Sequence, residues 1–268
     1  MKWTIFTTCK PFEGIIGTNQ RSAIKSWTLL EPRPDILLIG DEPGTADLAR
    51  DLGIMHVGSV TRNRWGTPLV PGLFWVAITS GGPGDVLCYV NSDILLLPSF
   101  TKAVAAADDL FETFLLTGPR WDLQVDDPIN FDEDWVKALT TALKQRGRRH
   151  KPTGQDYLVF TRLTFHPSYF PPLAIGHNGW DSWIIWEALR QKTPVIDASQ
   201  AITAIHQDHG PAVTNSEQHK MNRAIVDYDR MGRAYIWEAT YRMLTGRRYQ
   251  VRPAPDVINF WAEDVGWK

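Results

Sequence analysis

Between residues 3 and 122 the chain alternates short runs of β-branched, aliphatic and aromatic residues with stretches of helical spacing. The runs WTIFTTC (3–9), DILLIGD (35–41), IMHVGSV (54–60), DVLCYVNSDILLL (85–97) and TFLLTGPRWD (113–122) read as strands. Between them, NQRSAIKSWTLL carries Ile24, Trp27 and Leu30 on one face of a helix. GTADLARDLG reads as a helix ended by Gly53. PLVPGLFWVAITSG runs as a helix from its prolines to a Gly81-Gly82 stop, and PSFTKAVAAADDLFE opens a further helix at Pro-Ser. Five strands joined through four helices predict an α/β fold, a mostly parallel sheet flanked by helices on both faces.

Sheets of this kind take their ligands at the carboxyl ends of the strands. The polar residues gather there: Thr7 and Thr8 after the first strand, Asp41 after the second, Asn91 and Asp93 after the fourth. Asp93 is the sharpest of these. An unpaired carboxylate inside so apolar a run costs several kcal/mol or stays protonated. Either the chain turns at Asn91-Ser92 and Asp93 bonds a nearby amide, or the strand ends at a site and Asp93 holds a metal or a ligand. TTCKPFEGIIG is not a Gly-x-Gly-x-x-Gly turn, and no Walker-type loop occurs.

The later part of the chain changes character. DWVKALTTALKQRGRRH is an amphipathic helix ending in a basic run, residues 144–151, open to a phosphorylated acceptor, a membrane surface or DNA. The net charge of −2 weighs against a general nucleic-acid binder. GQDYLVFTRLTF returns to strand, DSWIIWEALRQ is a helix, TPVIDASQAITAIHQDHG is strand, loop, strand, and YDRMGRAYIWEATYRML reads as one more helix. The zone around 126–153 is the best internal junction. Cys9 and Cys88 lie in apolar surroundings and read as core thiols. No run approaches the roughly 20 apolar residues of a membrane span. With no apolar leader in MKWTIFTTCK, a soluble, cytoplasmic protein is expected. The 12 tryptophans offer flat faces for packing, or for stacking on sugars and bases.

A strand, then NSD, then an apolar run resembles the Asp-x-Asp motif of GT-A fold nucleotide-diphospho-sugar glycosyltransferases. TRNRWGTPLVPGLFW, YVNSDILLL, GPRWD, GQDYLVFTR, PPLAIGHNGWDSWII and VIDASQAITAIHQDHG follow in an order similar to that of a little-characterised GT-A-like group, over most of residues 3–210. The resemblance implies a GT-A (Rossmann-like) domain over 1–210, with a nucleotide-binding part at about 1–125 and an acceptor-side part at about 150–210. A helical C-terminal extension, 211–268, would pack on it. It implies a metal-dependent transfer of sugar from a nucleotide-diphospho-sugar, a UDP-sugar first among them, to a hydroxyl on a glycan, small molecule or modified nucleic acid.

The cofactor implied is a divalent metal, Mn2+ or Mg2+, acting as a Lewis acid on the diphosphate. Asp93 would be one ligand, with His206 or His209 from AIHQDHG completing the site. Asn91 stands where the family pattern often has Asp; it keeps an oxygen, lacks the charge, and could meet the ribose instead. Asp181 in GHNGWDSW is the candidate base for the acceptor hydroxyl, with a plain helix cap as its other reading, and Asp156 in GQDY is its rival. Thr7, Thr8, Asp41, Arg62 and Asn63 are implied nucleotide contacts. A sugar-nucleotide pyrophosphorylase and a catalytically silent nucleotide-sugar-binding protein share the broad fold. The first lacks its Gly-rich basic loop here; the second is separated from an enzyme by turnover.

Overall fold

The computed structural model describes residues 2–80, 86–125, 128–210, 216–231, 234–245 and 249–254. Its elements run β1 (Trp3–Thr7), α1 (Gly14–Trp27), β2 (Asp35–Ile39), α2 (Thr45–Leu52), β3 (Met55–Val57), α3 (Val70–Ser80), β4 (Val86–Val90), β5 (Ile94–Leu96), α4 (Ser99–Asp108), β6 (Leu115–Thr117) and β7 (Trp121–Leu123). They continue with α5 (Trp135–Arg146), β8 (Arg148–Arg149), β9 (Tyr157–Thr161), α6 (Trp180–Arg190), β10 (Val195–Asp197), β11 (Ala204–Gln207), α7 (Ser216–Ile225), α8 (Tyr228–Met231), β12 (Tyr241–Leu244) and β13 (Gln250–Pro253). The expected Gly81-Gly82 stop lies outside the described residues.

Nine strands form one sheet in the order β13-β12-β10-β6-β9-β4-β1-β2-β3. The pairs among β4, β1, β2 and β3 are parallel, as are β6–β10 and β10–β12. Strand β9 runs antiparallel between β4 and β6. The expectation of an α/β, mostly parallel sheet flanked by helices therefore holds, with one reversed strand at its centre. Successive side chains of β4 go to opposite faces. Val86, Cys88 and Val90 join a core with α1 and α4, while Leu87 and Tyr89 join one with α3 and α6. The second core is aromatic: Phe74 stacks on Phe160 at 5.3 Å between centroids, and Tyr89 meets the edge of Trp180 at 5.1 Å. Burying one such side chain contributes on the order of 1.5–3 kcal/mol.

Two of the predicted strands each prove to be two. The fourth breaks after Val90 and restarts at Ile94; the fifth breaks after Thr117 and restarts at Trp121. The second halves leave the large sheet and build a small one, in the order β5-β11-β7-β8. At the first break Ile94 N donates to Asn91 O, closing a turn. At the second, Gly118-Pro119 ends the strand, since proline has no N–H to give the ladder.

Among its described residues the C-terminal extension, expected to be helical, mixes helix with strand. Helices α7 and α8 are followed by a 3-10 turn at Ile236–Glu238 and by β12, which pairs in parallel with β10 and antiparallel with β13. The helix expected over 228–244 ends at Met231. The stretch AYIWEATY is rich in aromatic and β-branched residues that favour strands. Thr240 Oγ1 accepts from Val195 N at 3.0 Å and ties the segment to the start of β10. Among the described residues no helix is long and apolar enough to cross a membrane.

Candidate functional site

The carboxyl ends of β1, β2 and β4 lie at one sheet edge, and the loops that follow them form a cavity of about 440 Å³. Thr8, Lys10, Glu42, Asn91 and Asp93 line it, with Trp65 and Pro68. Glycine is required at residue 40: φ is +112°, and a Cβ there would sit 3.2 Å from Thr8 Oγ1 and 3.3 Å from Arg62 Nη2. Helix α1 supports these loops with polar side chains that it buries. Gln20 Oε1 accepts from Lys10 N at 2.7 Å and from Ser92 Oγ at 2.8 Å. Trp27 Nε1 donates to Ile94 O, and Asn19 Nδ2 donates to Gln207 O. The backbone freed where the fourth strand breaks is thus satisfied from a helix.

Asp93 faces two imidazoles. Its Oδ2 lies 3.6 Å from His206 Nε2 and 3.5 Å from His209 Nε2, and the donor atoms of the three residues lie within 4.8 Å of one another. Strand pairing makes the meeting: His206 on β11 is in register with Ile94 on β5. A cation about 2.1 Å from each donor sets neighbouring donors about 3 to 3.5 Å apart, close to the two distances from Asp93 to the imidazoles. Oδ1 of Asp93 is buried without a hydrogen-bond partner, an orphan oxygen that a cation would satisfy. Burial pushes the Asp93 carboxyl up, but the bond from His209 and the charges of His206 and Lys10 outweigh it, so it titrates below its ordinary range. Burial lowers His206, whereas the bond to Asp93 raises His209.

Behind the triad lies a chain of polar contacts. His206 Nδ1 is 3.2 Å from Asp122 Oδ1. Arg120 Nε donates to that same oxygen at 2.8 Å, and its Nη1 donates to Asp156 Oδ1 at 2.8 Å. Asn91 Nδ2 also donates to Asp156 Oδ1, at 2.7 Å, while Asn91 Oδ1 accepts from Tyr89 at 2.8 Å. An aspartate at position 91 could not make the first of these bonds unless protonated.

A second cavity, of about 540 Å³, adjoins the first through Asn91, Gly176 and His177. Asp156, Asp181, Trp180, Arg223 and Tyr228 are among its lining residues. Asp181 sits in the first turn of α6, whose N-cap is Gly179, so it is not the cap itself. Its Oδ1 accepts from Ser182 N at 2.9 Å. Burial nevertheless pushes the carboxyl up to about 6, beyond what the backbone N–H donors of Ser182 and Gln155 offset. Asp156 keeps Oδ2 buried and unpartnered.

Asn91, Asp93, Thr8, Asp156 and Asp181 thus all line one or other cavity, and His206 and His209 converge on Asp93. Thr7, Asp41, Arg62 and Asn63 stand apart. Thr7 is fully buried in β1. Arg62 clasps Asp41 at 2.5 Å and Glu42 at 2.7 Å, and Asn63 Oδ1 caps its own loop by accepting from Trp65 N and Thr67 N. In the basic run, Arg148 pairs with Asp208, Arg149 Nη2 donates to Ser199 O, and His150 Nδ1 lies 2.9 Å from Asp122 Oδ2. Sequence reasoning did not single out Lys10, Glu42, Trp65, Arg120 or Asp122. GPRWD held a signal for the last two, a charged pair astride a strand break.

No protein-family model matches the chain, and comparison with curated proteins finds no match. Comparison of folds does. Glucosyl-3-phosphoglycerate synthase from Mycobacterium tuberculosis, solved in complex with Mn2+, uridine diphosphate and phosphoglyceric acid, is 14% identical, with a TM-score of 0.51 over 94% of this chain and 86% of that one. The same enzyme solved with uridine diphosphate gives a TM-score of 0.50 at 14% identity, over 94% of this chain and 87% of that one. The chain has the GT-A fold of nucleotide-diphospho-sugar glycosyltransferases.

Proposed function

We propose that this protein is a metal-dependent glycosyltransferase that moves a sugar from a nucleoside diphosphate sugar, a UDP-sugar first among them, to a hydroxyl acceptor. The observation that carries the reading is the meeting of Asp93, His206 and His209 at the carboxyl edge of a GT-A sheet, beside two adjoining cavities. The three residues would hold a divalent cation, which supplies positive charge to the diphosphate leaving group. Two imidazoles and one carboxylate suit Mn2+ better than Mg2+, which prefers an all-oxygen set. The cavity with Thr8, Lys10, Glu42 and Trp65 takes the nucleotide, Trp65 offering an aromatic face and Lys10 a cation. That the similar synthase binds uridine diphosphate and Mn2+ supports the donor class.

The second cavity takes the acceptor. Asp181 accepts the hydroxyl proton as the acceptor oxygen attacks the anomeric carbon. A carboxyl raised to about 6 lies near the working range of a general base. Asp156, fixed by Arg120 and Asn91, orients the acceptor through its free oxygen. The contacts that Arg148, Arg149 and His150 make within the chain support a small or glycan acceptor over DNA.

Thermal shift and calorimetry with a panel of nucleotide-sugars, with and without Mn2+, test the reading. A UDP-sugar whose binding needs Mn2+, and which is slowly hydrolysed, is the expected result. No metal-dependent nucleotide binding would overturn it. Tight binding without turnover under any acceptor would replace the enzyme with a binding protein.

A further inference from the structure

Resting on the reading of Asp93, His206 and His209 as a metal site, we infer that Asp122 is a positioning residue for it. Asp122 holds the imidazole of His206 in the tautomer and orientation that a metal ion needs. The two nitrogens of this ring face two different carboxylates. Nε2 looks toward Asp93 at 3.6 Å, and Nδ1 lies 3.2 Å from Asp122 Oδ1. The second contact is close but not aligned as a hydrogen bond, and Nδ1 is buried without another partner. Register places the pair together: β11 runs parallel to β7, with His206 opposite Asp122.

The chemistry follows from the ring. A neutral imidazole carries one proton, and a metal at Nε2 requires that nitrogen's lone pair. The proton must then sit on Nδ1. A carboxylate beside Nδ1 accepts that proton's bond, fixes the ring plane and raises the basicity of Nε2. Asp122 is equipped for this. Its carboxylate is fixed by Arg120 Nε at 2.8 Å, and its other oxygen meets His150 Nδ1 at 2.9 Å. Neither cavity is lined by Asp122, so the residue acts through His206 and not on a substrate. A clasp for the antiparallel β7–β8 pair is the competing role, since Arg120 and His150 flank that pair.

The test measures Mn2+ affinity by calorimetry, and imidazole nitrogen couplings by pulsed EPR of bound Mn2+, on the full chain and on His206→Ala, Asp122→Asn and Asp122→Ala. Circular dichroism checks folding first. Outer partners of metal-bound histidines are typically worth 10–100-fold in affinity, so Asp122→Ala is expected to weaken Mn2+ by roughly that factor and to alter the coupling of one imidazole. Asp122→Asn, which keeps an acceptor oxygen, is expected to fall between it and the parent. Parental affinity and couplings in a folded Asp122→Ala, alongside weak binding by His206→Ala, would overturn the role of Asp122 alone. If the parent binds no Mn2+, the metal reading falls first, and this inference with it. Should the Asp122 variants not fold, the parent's Zn2+ form decides by imidazole nitrogen NMR. A proton on Nδ1 of His206 with slowed exchange supports the role; a proton on Nε2 overturns it.

Discussion

Asp181 is pulled two ways: toward a proton by burial, away from one by the amides of α6. Burial wins, and its pKa of about 6 stands above the ordinary 3.8. Folding therefore favours the protonated form. That contribution is complete below about pH 4 and is lost as pH rises through about 6. Asp181→Asn should consequently gain stability over the parent between those values and level off at no more than about 3 kcal/mol, seen as a melting-temperature difference that opens with pH. The same substitution should cut transfer by about 10²–10⁴-fold while leaving nucleotide-sugar affinity intact. Equal transfer rates would make Asp181 a first-turn residue and no more. Asp197 is the control. It is fully buried, also raised to about 6 by burial and bonded to Ser199, and it lines neither cavity. Asp197→Asn should reproduce the pH-dependent gain with no loss of transfer.

At the scale of elements, the informative oddity is α1, a helix that buries Asn19, Gln20, Ser22 and Ser26. Gln20 pairs with Ser92 Oγ in the break of the fourth strand, Ser26 with Leu96 N just past it, and Asn19 reaches β11. Asn19 and Gln207 exchange bonds, Asn19 Nδ2 giving to Gln207 O and Gln207 Nε2 to Asn19 O. Asn19→Ala leaves that carbonyl without its donor and should cost about 1–3 kcal/mol in urea unfolding. It should also weaken Mn2+ binding, because Gln207 Nε2 holds the Asp93 carbonyl as well. The alternation of strand and helix up to residue 122 was legible because each run carries its own period. Of the candidate metal residues, Asp93 stood out as a carboxylate where only apolar residues belong, while His206 and His209 followed from the family resemblance; the three do converge. Arg120 and Asp122 were not legible, since their meaning lies in which strands pair, and β7 pairs with β11 across a long stretch of chain. The strand at 241–244 was missed because YRML was read as the end of a helix, and its pairing with β10 is a contact between distant parts of the chain.

For the molecule as a whole, the two sheets diverge at Asn91–Asp93 and Gly118–Arg120, and the candidate ligands gather at that fork. A cation bound there adds its binding free energy to folding. At a hundred times its dissociation constant, Mn2+ should stabilise the parent by about 2.7 kcal/mol. Asp93→Ala should abolish the accompanying rise in melting temperature, with Mg2+ giving a smaller rise than Mn2+ in the parent; an unchanged Mn2+ effect in that variant would detach Asp93 from the metal. The fork also orders events in time. Gln207 and Asp93 are 114 positions apart, so on a ribosome Asp93 emerges long before either imidazole that faces it. Contacts so distant in the chain form late, after their loop-closure entropy has been met. Metal capture would then seal a finished topology rather than seed it. Refolding begun with Mn2+ present should proceed at the metal-free rate, and the benefit should appear in slower unfolding.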